Sequence, residues 1–315
     1  MPENIAMGPG GEFDLIRRML ARWGDLAAAV GSDTGPVPIP PGERVVVSTD
    51  SSVEGVHFQR AWLTPHEVGR RATMAALSDL AAAAVTPRAV VLALALPEDQ
   101  RDTVEALADG VGSAVRDVGL GARIVGGDLT RASQLVVGVT VIGSAPAPLG
   151  RTGARPGDSV YLTGVLGGPA MALEAWRTGE VPGRWARERF AAPRARVAEA
   201  LWLAERGAVA MIDISDGLSS ELHHLAAASG CEVRVDLSRV PRPEGLGWRS
   251  AVASGEEYEL VVVTRGEVDA NAFARAFGVP LTRLGAVRAA PAGVVVALED
   301  GVRVDLPAGH DHFST

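Results

Sequence analysis

Four short acidic stretches most constrain the fold of this chain, because each places an aspartate at or near the end of an apolar run. They are Val47–Asp50, Leu77–Leu80, Val125–Asp128 and Ile212–Gly217. A hydroxyl or glycine residue stands close to the carboxylate in each of them. Carboxylates in such surroundings are costly unless a positive charge lies between them. The pattern therefore predicts a fold that gathers these acids around Mg²⁺ ions, which would carry the phosphates of a nucleotide.

The residue types favour magnesium over other metals. Oxygen ligands from Asp, Ser and Thr suit a hard cation and do not suit zinc or copper. One aspartate after a strand is more often a helix cap or a turn former. In the same way, Gly126–Asp128 can be a plain turn, and Ser215–Gly217 can be a helix cap without a ligand. Several such sites together favour a metal-binding function.

Three predicted strands lead to these acids. Loops at one edge of a sheet open into a common cleft, so we expect the acids at the ends of these strands to lie close together. The expected pairs are Arg44–Thr49 ending at Asp50, Arg123–Val125 delivering Asp128 in a glycine turn, and Ala208–Ile212 running into Asp213. A predicted helix from Thr64 to about Ala84 carries Asp79. A second helix, over Leu218–Ser229, begins directly after Asp216.

The length of 315 residues predicts two domains, because a single core rarely serves a chain of this size. The Pro- and Gly-rich stretch Ala145–Gly150 is the best linker candidate. We therefore expect an N-terminal domain over 11–147 and a C-terminal domain over 148–315. Strand and helix patterns alternate in both halves, so each domain is expected to be α/β.

Composition excludes several classes of function. A net charge of −8 argues against nucleic-acid binding, which usually needs a basic surface. No apolar run reaches the length of about 20 residues that a membrane span requires. Cys231 is the only cysteine, so no disulfide framework is possible and a cytoplasmic protein is expected. All 30 basic residues are arginine, which excludes a P-loop lysine and Schiff-base chemistry.

The acidic stretches lie inside longer motifs that together resemble thiamine-monophosphate kinase. These motifs are Ser48–Asp50 with Glu54–Phe58, Leu77–Ala82, Gly126–Asp128, Arg151–Asp158, Ile212–Leu218, the opening Gly11–Phe13 and the closing Asp311–Phe313. Their order and spacing hold from residue 11 to residue 313. The resemblance implies a two-domain fold shared with aminoimidazole ribonucleotide synthetase and selenophosphate synthetase. In that fold the N-terminal domain dimerises through its sheet, and the C-terminal α/β domain closes over the active site.

The resemblance also implies the reaction and the residues that perform it. The γ-phosphoryl group of ATP would pass to thiamine monophosphate, giving thiamine diphosphate and ADP. Residues at the positions of the magnesium ligands are Asp33, Ser48, Thr49, Asp50, Asp79, Asp128, Asp213 and Asp216. Those at the ATP positions are Gly127, Asp128, Arg151 and Ser215, and those at the thiamine monophosphate positions are His57, Glu256 and His310. We nominate no general base, because the acceptor phosphate is already anionic and needs mainly charge neutralisation by Mg²⁺ and Arg151.

The chain departs from the family pattern at several positions. Ser32 replaces the first of two aspartates before the magnesium position of Asp33, for which Asp25 is a rival placement. Glu257 replaces a shorter aspartate, and His310 replaces an aromatic residue that would stack on the thiamine ring. Two alternatives therefore stay open. One is a non-catalytic sensor of ATP or thiamine phosphate, and the other is a different ATP-dependent enzyme of the same superfamily.

Overall fold

The computed structural model describes residues 4, 6–290, 293–310 and 312–313 of the chain. The chain forms two compact units, Met1–Leu80 with Val85–Pro148 and Ala81–Ala84 with Leu149–Thr315. Each unit mixes helices with a sheet, which confirms the predicted α/β class. None of the helices in the described ranges is long and apolar enough to cross a membrane.

Within its described residues, the first unit contains a four-stranded sheet and three α-helices. In chain order its elements are α1 (Gly11–Trp23), β1 (Arg44–Val53), α2 (Pro65–Ala82), β2 (Thr86–Leu96), α3 (Val104–Val118), β3 (Arg123–Arg131) and β4 (Val136–Ala145). The strand order is β1-β4-β2-β3. Strand β4 is antiparallel to both neighbours, whereas β2 and β3 are parallel. The predicted site residues of this unit lie on β1, β3 and α2, except Asp33 and His57, which lie before and after β1.

Two glycines allow α2 and α3 to approach each other closely. A Cβ atom at Gly69 would lie 2.2 Å from the carbonyl oxygen of Leu107, and one at Gly110 would lie 2.0 Å from that of His66. Any larger residue would therefore push the helices apart, because real Cβ atoms do not come so close to other atoms. This packing fixes α2, and with it the position of Asp79.

Two of the expected strand ends are wrong. Strand β1 continues to Val53, so Asp50 lies inside the strand and pairs with Val139. Strand β3 continues to Arg131, so Asp128 is also a strand residue and not part of a glycine turn. Both strands are extended by pairing with distant segments, which the local sequence does not reveal.

The second unit contains a seven-stranded sheet with the order β11-β10-β7-β9-β5-β8-β6. In chain order its elements are β5 (Ser159–Thr163), α4 (Gly168–Arg177), α5 (Arg184–Ala191), α6 (Val197–Ala204), β6 (Ala208–Asp213), α7 (Leu218–Ser229), β7 (Glu232–Asp236), α8 (Trp248–Ala253), β8 (Leu260–Thr264), α9 (Ala270–Phe277), β9 (Leu281–Arg288), β10 (Val294–Glu299) and β11 (Val302–Val304). Leu218, Leu222 and Leu225 of α7 are fully buried in the core cluster. They recur at helical spacing, so α7 packs one apolar face into the core. That packing holds the start of α7, where Asp216 lies, in place.

Candidate active site

In the first unit, β1 and α2 bring two carboxylates and a hydroxyl together. The Ser48 hydroxyl donates a hydrogen bond of 2.5 Å to Oδ2 of Asp79. Asp50 lies two residues after Ser48, so its side chain projects from the same face of the strand. Burial raises the pKa of Asp50 to about 6, and the negative charge of Asp79 adds to this effect. Ser48, Asp50 and Asp79 therefore lie close together in the structure.

Thr49 and Asp128 project from the other face of this sheet. The Thr49 hydroxyl lies 2.9 Å from that of Thr140, on the side away from Asp79. Across the sheet, Asp128 is paired with Ala93, Ala93 with Gly138, and Gly138 with Ser51 of β1. Asp128 therefore shares a face with Ser51, and Ser51 shares a face with Thr49, two residues earlier. Side chains paired across strands share a face, and neighbours along a strand alternate. The first unit therefore does not place the Thr49 or Asp128 side chain beside that of Asp50.

Two further predicted residues lie along β3. Asp33 is exposed, in a segment that runs beside β3, where a Cβ atom at Gly35 would lie 2.2 Å from the carbonyl oxygen of Val125. At Gly127, a Cβ atom would lie 2.0 Å from the carbonyl oxygen of Leu92. Glycine at 127 is thus required for the close pairing of β3 with β2, whatever its part in binding.

His57 lies in the turn that follows β1, and the backbone fixes its ring. The Val53 N–H donates a hydrogen bond of 3.1 Å to Nδ1 of His57. Because Nδ1 accepts, the neutral ring carries its proton on Nε2. His57 can therefore act as a hydrogen-bond donor through Nε2, which suits contact with an anion.

In the second unit, three segments meet at the end of β6 and the start of α7. Asp213 is the last residue of β6 and is buried. The Glu256 N–H donates to the Ser215 carbonyl oxygen at 2.6 Å, and the His310 N–H donates to the Asp216 carbonyl oxygen at 2.9 Å. These bonds bring together the predicted residues Ser215, Asp216, Glu256 and His310, although they are far apart in sequence. Asp311, in the closing motif, lies outside the described residues.

Glu221 also belongs to this group, although the sequence analysis did not select it. Its Oε1 accepts a hydrogen bond of 3.0 Å from the Asp216 N–H, and the residue is only 2% exposed. Burial raises its pKa, and the charge of Asp216 adds to this effect. The hydrogen bond from the Asp216 N–H and the charge of Arg151 oppose the shift. Glu221 therefore contacts the backbone of a predicted magnesium ligand. Its position in the first turn of α7 was the available signal, because acids favour helix N-termini.

The residues of the first unit fit a divalent cation. No three Asp, Glu, His or Cys side chains come together as a metal-binding group in the described part of the chain. Magnesium, however, usually takes only one or two carboxylates and completes its shell with water and substrate phosphates. Asp50 and Asp79 provide two carboxylates, and the pKa of Asp50 is raised by burial first and by the charge of Asp79 second. A cation at this position would relieve the repulsion between the two carboxylates.

Comparison with known proteins identifies the family. Residues 31–145 match the N-terminal domain of AIR synthase related proteins, and residues 155–297 match the C-terminal domain. Over 329 residues the chain is 33% identical to the thiamine-monophosphate kinase of Salmonella typhimurium, covering 97% of this chain and 99% of that protein. The chain belongs to the thiamine-monophosphate kinase family.

Solved structures of thiamine-monophosphate kinases have the same fold. The enzyme from Stenotrophomonas maltophilia is similar with a TM-score of 0.80 and 31% identity, over 93% of this chain and 98% of that one. The complex of AaThiL with AMPPCP and TMP is similar with a TM-score of 0.75 and 28% identity, over 96% of both chains. The predicted two-domain fold of the thiamine-monophosphate kinases is therefore confirmed.

Proposed function

We propose that this chain transfers the γ-phosphoryl group of ATP to thiamine monophosphate, giving thiamine diphosphate and ADP. The observation that carries the proposal is the similarity, over 96% of both chains, to a protein whose complex holds AMPPCP and TMP. The 33% identity to a curated thiamine-monophosphate kinase supports the same activity. The grouping of acidic and hydroxyl residues described above agrees with a reaction between two phosphate groups. The reaction takes place in the cytoplasm, where a chain with one cysteine is expected to work.

Magnesium ions are the metal cofactor of this proposal. Ser48, Asp50 and Asp79 hold one end of the metal site, and the other ligands are Asp33, Thr49, Asp128, Asp213 and Asp216. Because the side chains of Thr49 and Asp128 project from the far face of the sheet, these two residues are the weakest members of the set. Bound Mg²⁺ would supply the positive charge that lets two polyanionic phosphates approach each other.

The remaining residues bind and orient the two substrates. Gly127, Asp128, Arg151 and Ser215 contact ATP, and His57, Glu256 and His310 contact thiamine monophosphate. His57 donates a hydrogen bond from Nε2 to the acceptor phosphate, which agrees with the backbone hydrogen bond to its Nδ1. No side chain needs to remove a proton, because the attacking oxygen of a phosphate monoester is already anionic near neutral pH. The protein therefore contributes alignment and charge neutralisation.

The active form is a homodimer. Val45 and Val47 on β1 are 53% and 60% exposed, and their side chains project from the face that is opposite Ser48 and Asp79. Exposed apolar residues on an open sheet favour association with a second copy. The first domain, over 11–147, binds ATP and Mg²⁺ and dimerises, and the second, over 148–315, closes over the active site.

A coupled assay of ADP release tests the proposal. We expect ADP only when ATP, thiamine monophosphate and Mg²⁺ are all present, with thiamine diphosphate identified by phosphorus NMR. Omitting thiamine monophosphate, or chelating the metal with EDTA, provides the controls. Binding of thiamine monophosphate without ADP release would instead support a sensor. ADP release with other acceptors but not with this one would support another enzyme of the superfamily.

A further inference from the structure

The segment Ser254–Glu259, just before β8, has an unusual backbone. Glu256 and Tyr258 have φ angles of 58° and 52°, in the left-handed region that residues other than glycine rarely adopt. Two hydrogen bonds hold this conformation: the Glu256 N–H donates to the Ser215 carbonyl oxygen and the Tyr258 N–H donates to that of Ile214. Strained backbone persists only where the surroundings enforce it, and it is concentrated at functional sites.

Glu257, between these two residues, points inward and is 1% exposed. Its Oε1 accepts hydrogen bonds from the Gly167 N–H at 2.5 Å and from the Ser254 hydroxyl at 2.6 Å. Its Oε2 accepts a hydrogen bond of 3.1 Å from Arg189. The same Ser254 oxygen accepts a hydrogen bond of 3.2 Å from the Ala170 N–H, in the first turn of α4. One carboxylate thus ties the strained segment to the start of α4 and to α5.

Arg189 extends this connection to a second buried acid. It contacts Oε1 of Glu259 at 3.0 Å, and Arg196 contacts the same oxygen at 2.6 Å. In addition, Arg189 donates to the backbone carbonyl of Glu257 at 3.1 Å. The Nε of Arg189 is a buried nitrogen without a hydrogen-bond partner within the described residues. Buried ion pairs with an unsatisfied donor are poor stabilisers, so stability alone does not account for this arrangement.

We propose that Glu257 is a positioning residue for the binding of thiamine monophosphate. Its carboxylate holds the backbone of Glu256 in the left-handed conformation, so that the Glu256 side chain meets the substrate and not the core. This inference rests on the proposed function, in which Glu256 contacts thiamine monophosphate. Glu257 itself does not touch substrate, because it is enclosed by Gly167, Ser254 and Arg189.

Glu257→Gln tests the proposal at pH 8. The amide keeps an oxygen for Gly167 and Ser254, but it places an NH₂ group against the Arg189 guanidinium. We expect the KM for thiamine monophosphate to rise by about tenfold, with kcat and the KM for ATP changed by less than about twofold. We also expect the Glu256 and Tyr258 amides to exchange with deuterium about tenfold faster, because their hydrogen bonds open more often.

Glu199→Gln is the matched control. Glu199 belongs to the same buried ion-pair group and contacts Arg196 at 3.2 Å. It lies on α6 and is one turn from Arg196 in sequence, so its loss should lower the melting temperature without changing either KM. Ser254→Ala is a milder variant in case Glu257→Gln fails to fold, since it removes one hydrogen bond to the same carboxylate. We expect the same selective rise in the KM for thiamine monophosphate, of smaller size.

The KM for thiamine monophosphate and the deuterium exchange of the Glu256 and Tyr258 amides together distinguish a failure of this inference from a failure of the proposed function. An unchanged KM for thiamine monophosphate in Glu257→Gln, or an equal rise for both substrates, would overturn the positioning role. If the wild-type chain makes no thiamine diphosphate, the proposed function fails, yet the exchange experiment still decides whether Glu257 holds the segment. Exchange at Glu256 and Tyr258 as slow as in wild type would then overturn the inference.

Discussion

Ser48 and Asp79 are joined by a hydrogen bond of 2.5 Å, in which the hydroxyl on β1 donates to the carboxylate on α2. This bond orients Asp79, whose charge, together with burial, raises the pKa of Asp50. The protein therefore keeps two like charges close together at a site where a cation would stabilise both. Groups arranged in this way are more useful for binding a metal than for stabilising the fold.

Replacing Asp50 with Asn should separate folding from metal binding. Without Mg²⁺ we expect the melting temperature to stay the same or rise, because one of two neighbouring negative charges is removed. Mg²⁺ at ten times its Kd should stabilise the wild-type chain by about 1.4 kcal/mol, and it should stabilise Asp50→Asn much less. The turnover of Asp50→Asn should be about 100-fold lower than that of wild type. Thermal unfolding with and without Mg²⁺ and the ADP assay measure both effects. Asp102→Asn, at an exposed position, is the control, and equal stabilisation of Asp50→Asn by Mg²⁺ would exclude Asp50 as a ligand.

The two hydroxyl residues next to Asp50 should differ in their effects. Ser48→Ala removes the hydrogen bond to Asp79, so we expect the Kd for Mg²⁺ to rise by about tenfold, as for other residues that orient metal ligands. Thr49→Val keeps the side-chain shape and removes only the hydroxyl that contacts Thr140. We therefore expect the Kd for Mg²⁺ to change by less than about twofold. Titration calorimetry with Mg²⁺ measures both values. If Thr49→Val lost as much affinity for Mg²⁺ as Ser48→Ala, the Thr49 side chain would have to reach the metal.

The sequence was sufficient for the family, for the mixed α/β class and for the identity of many helices and strands. It could not predict that β1 and β3 continue through Asp50 and Asp128, because their ends depend on pairing with β4 and β2. Ser48 and Thr49 face opposite sides because neighbours alternate along a strand, but the face that Asp128 shares with Thr49 follows from the register of three strand pairs, which motif matching does not give. The motifs indicated which residues matter, and long-range pairing decided where their side chains point.

The role of Glu221 and the strain at Glu256 were harder still to predict. Glu221 contacts the Asp216 N–H because α7 begins immediately after the loop, and such a contact depends on exact backbone geometry. A left-handed conformation is usually signalled by glycine or asparagine, and Glu256 and Tyr258 are neither. The conformation is supported by backbone hydrogen bonds to Ile214 and Ser215 and by the buried contacts of Glu257, which no local sequence pattern encodes.

Replacing Glu256 with Gly should relax the strained backbone while removing a substrate contact. Glycine adopts a φ of 58° without a steric penalty, but it also increases the entropy of the unfolded chain. We therefore expect the free energy of unfolding to change by about 1 kcal/mol or less, with stabilisation favoured. The KM for thiamine monophosphate should rise, because the Glu256 carboxylate is lost.

Leu120→Gly is the matched control for this backbone effect. Leu120 also has a φ of 58°, and it is exposed between α3 and β3. We expect the free energy of unfolding of Leu120→Gly to change in the same direction as that of Glu256→Gly. Its kinetic constants should be those of wild type. Thermal unfolding and steady-state kinetics of both variants provide the comparison. An unchanged KM for thiamine monophosphate in Glu256→Gly would show that the Glu256 side chain does not contact the substrate.

Glu257 should make the stability of the chain depend on pH near neutrality. Burial raises its pKa from 4.5 to about 7, although Arg189, Ser254 and the Gly167 amide favour the charged form. Between these two values the folded chain holds a proton that the unfolded chain releases. The free energy of unfolding should therefore decrease as the pH rises from 4.5 to about 7, by up to about 1.4 kcal/mol per pH unit, and then stay level. Burial would raise the pKa of Glu259, but Arg196 and Arg189 outweigh it and lower this pKa, so the contribution of Glu259 falls below pH 4.5. Asp50, whose pKa is raised to about 6, titrates within the range in both wild type and Glu257→Gln, so its contribution cancels in their difference. Urea unfolding of wild type and Glu257→Gln across this range measures the effect. The difference between the two should show the slope, and Glu199→Gln, which keeps Glu257, should follow wild type; parallel curves for wild type and Glu257→Gln would contradict the raised pKa.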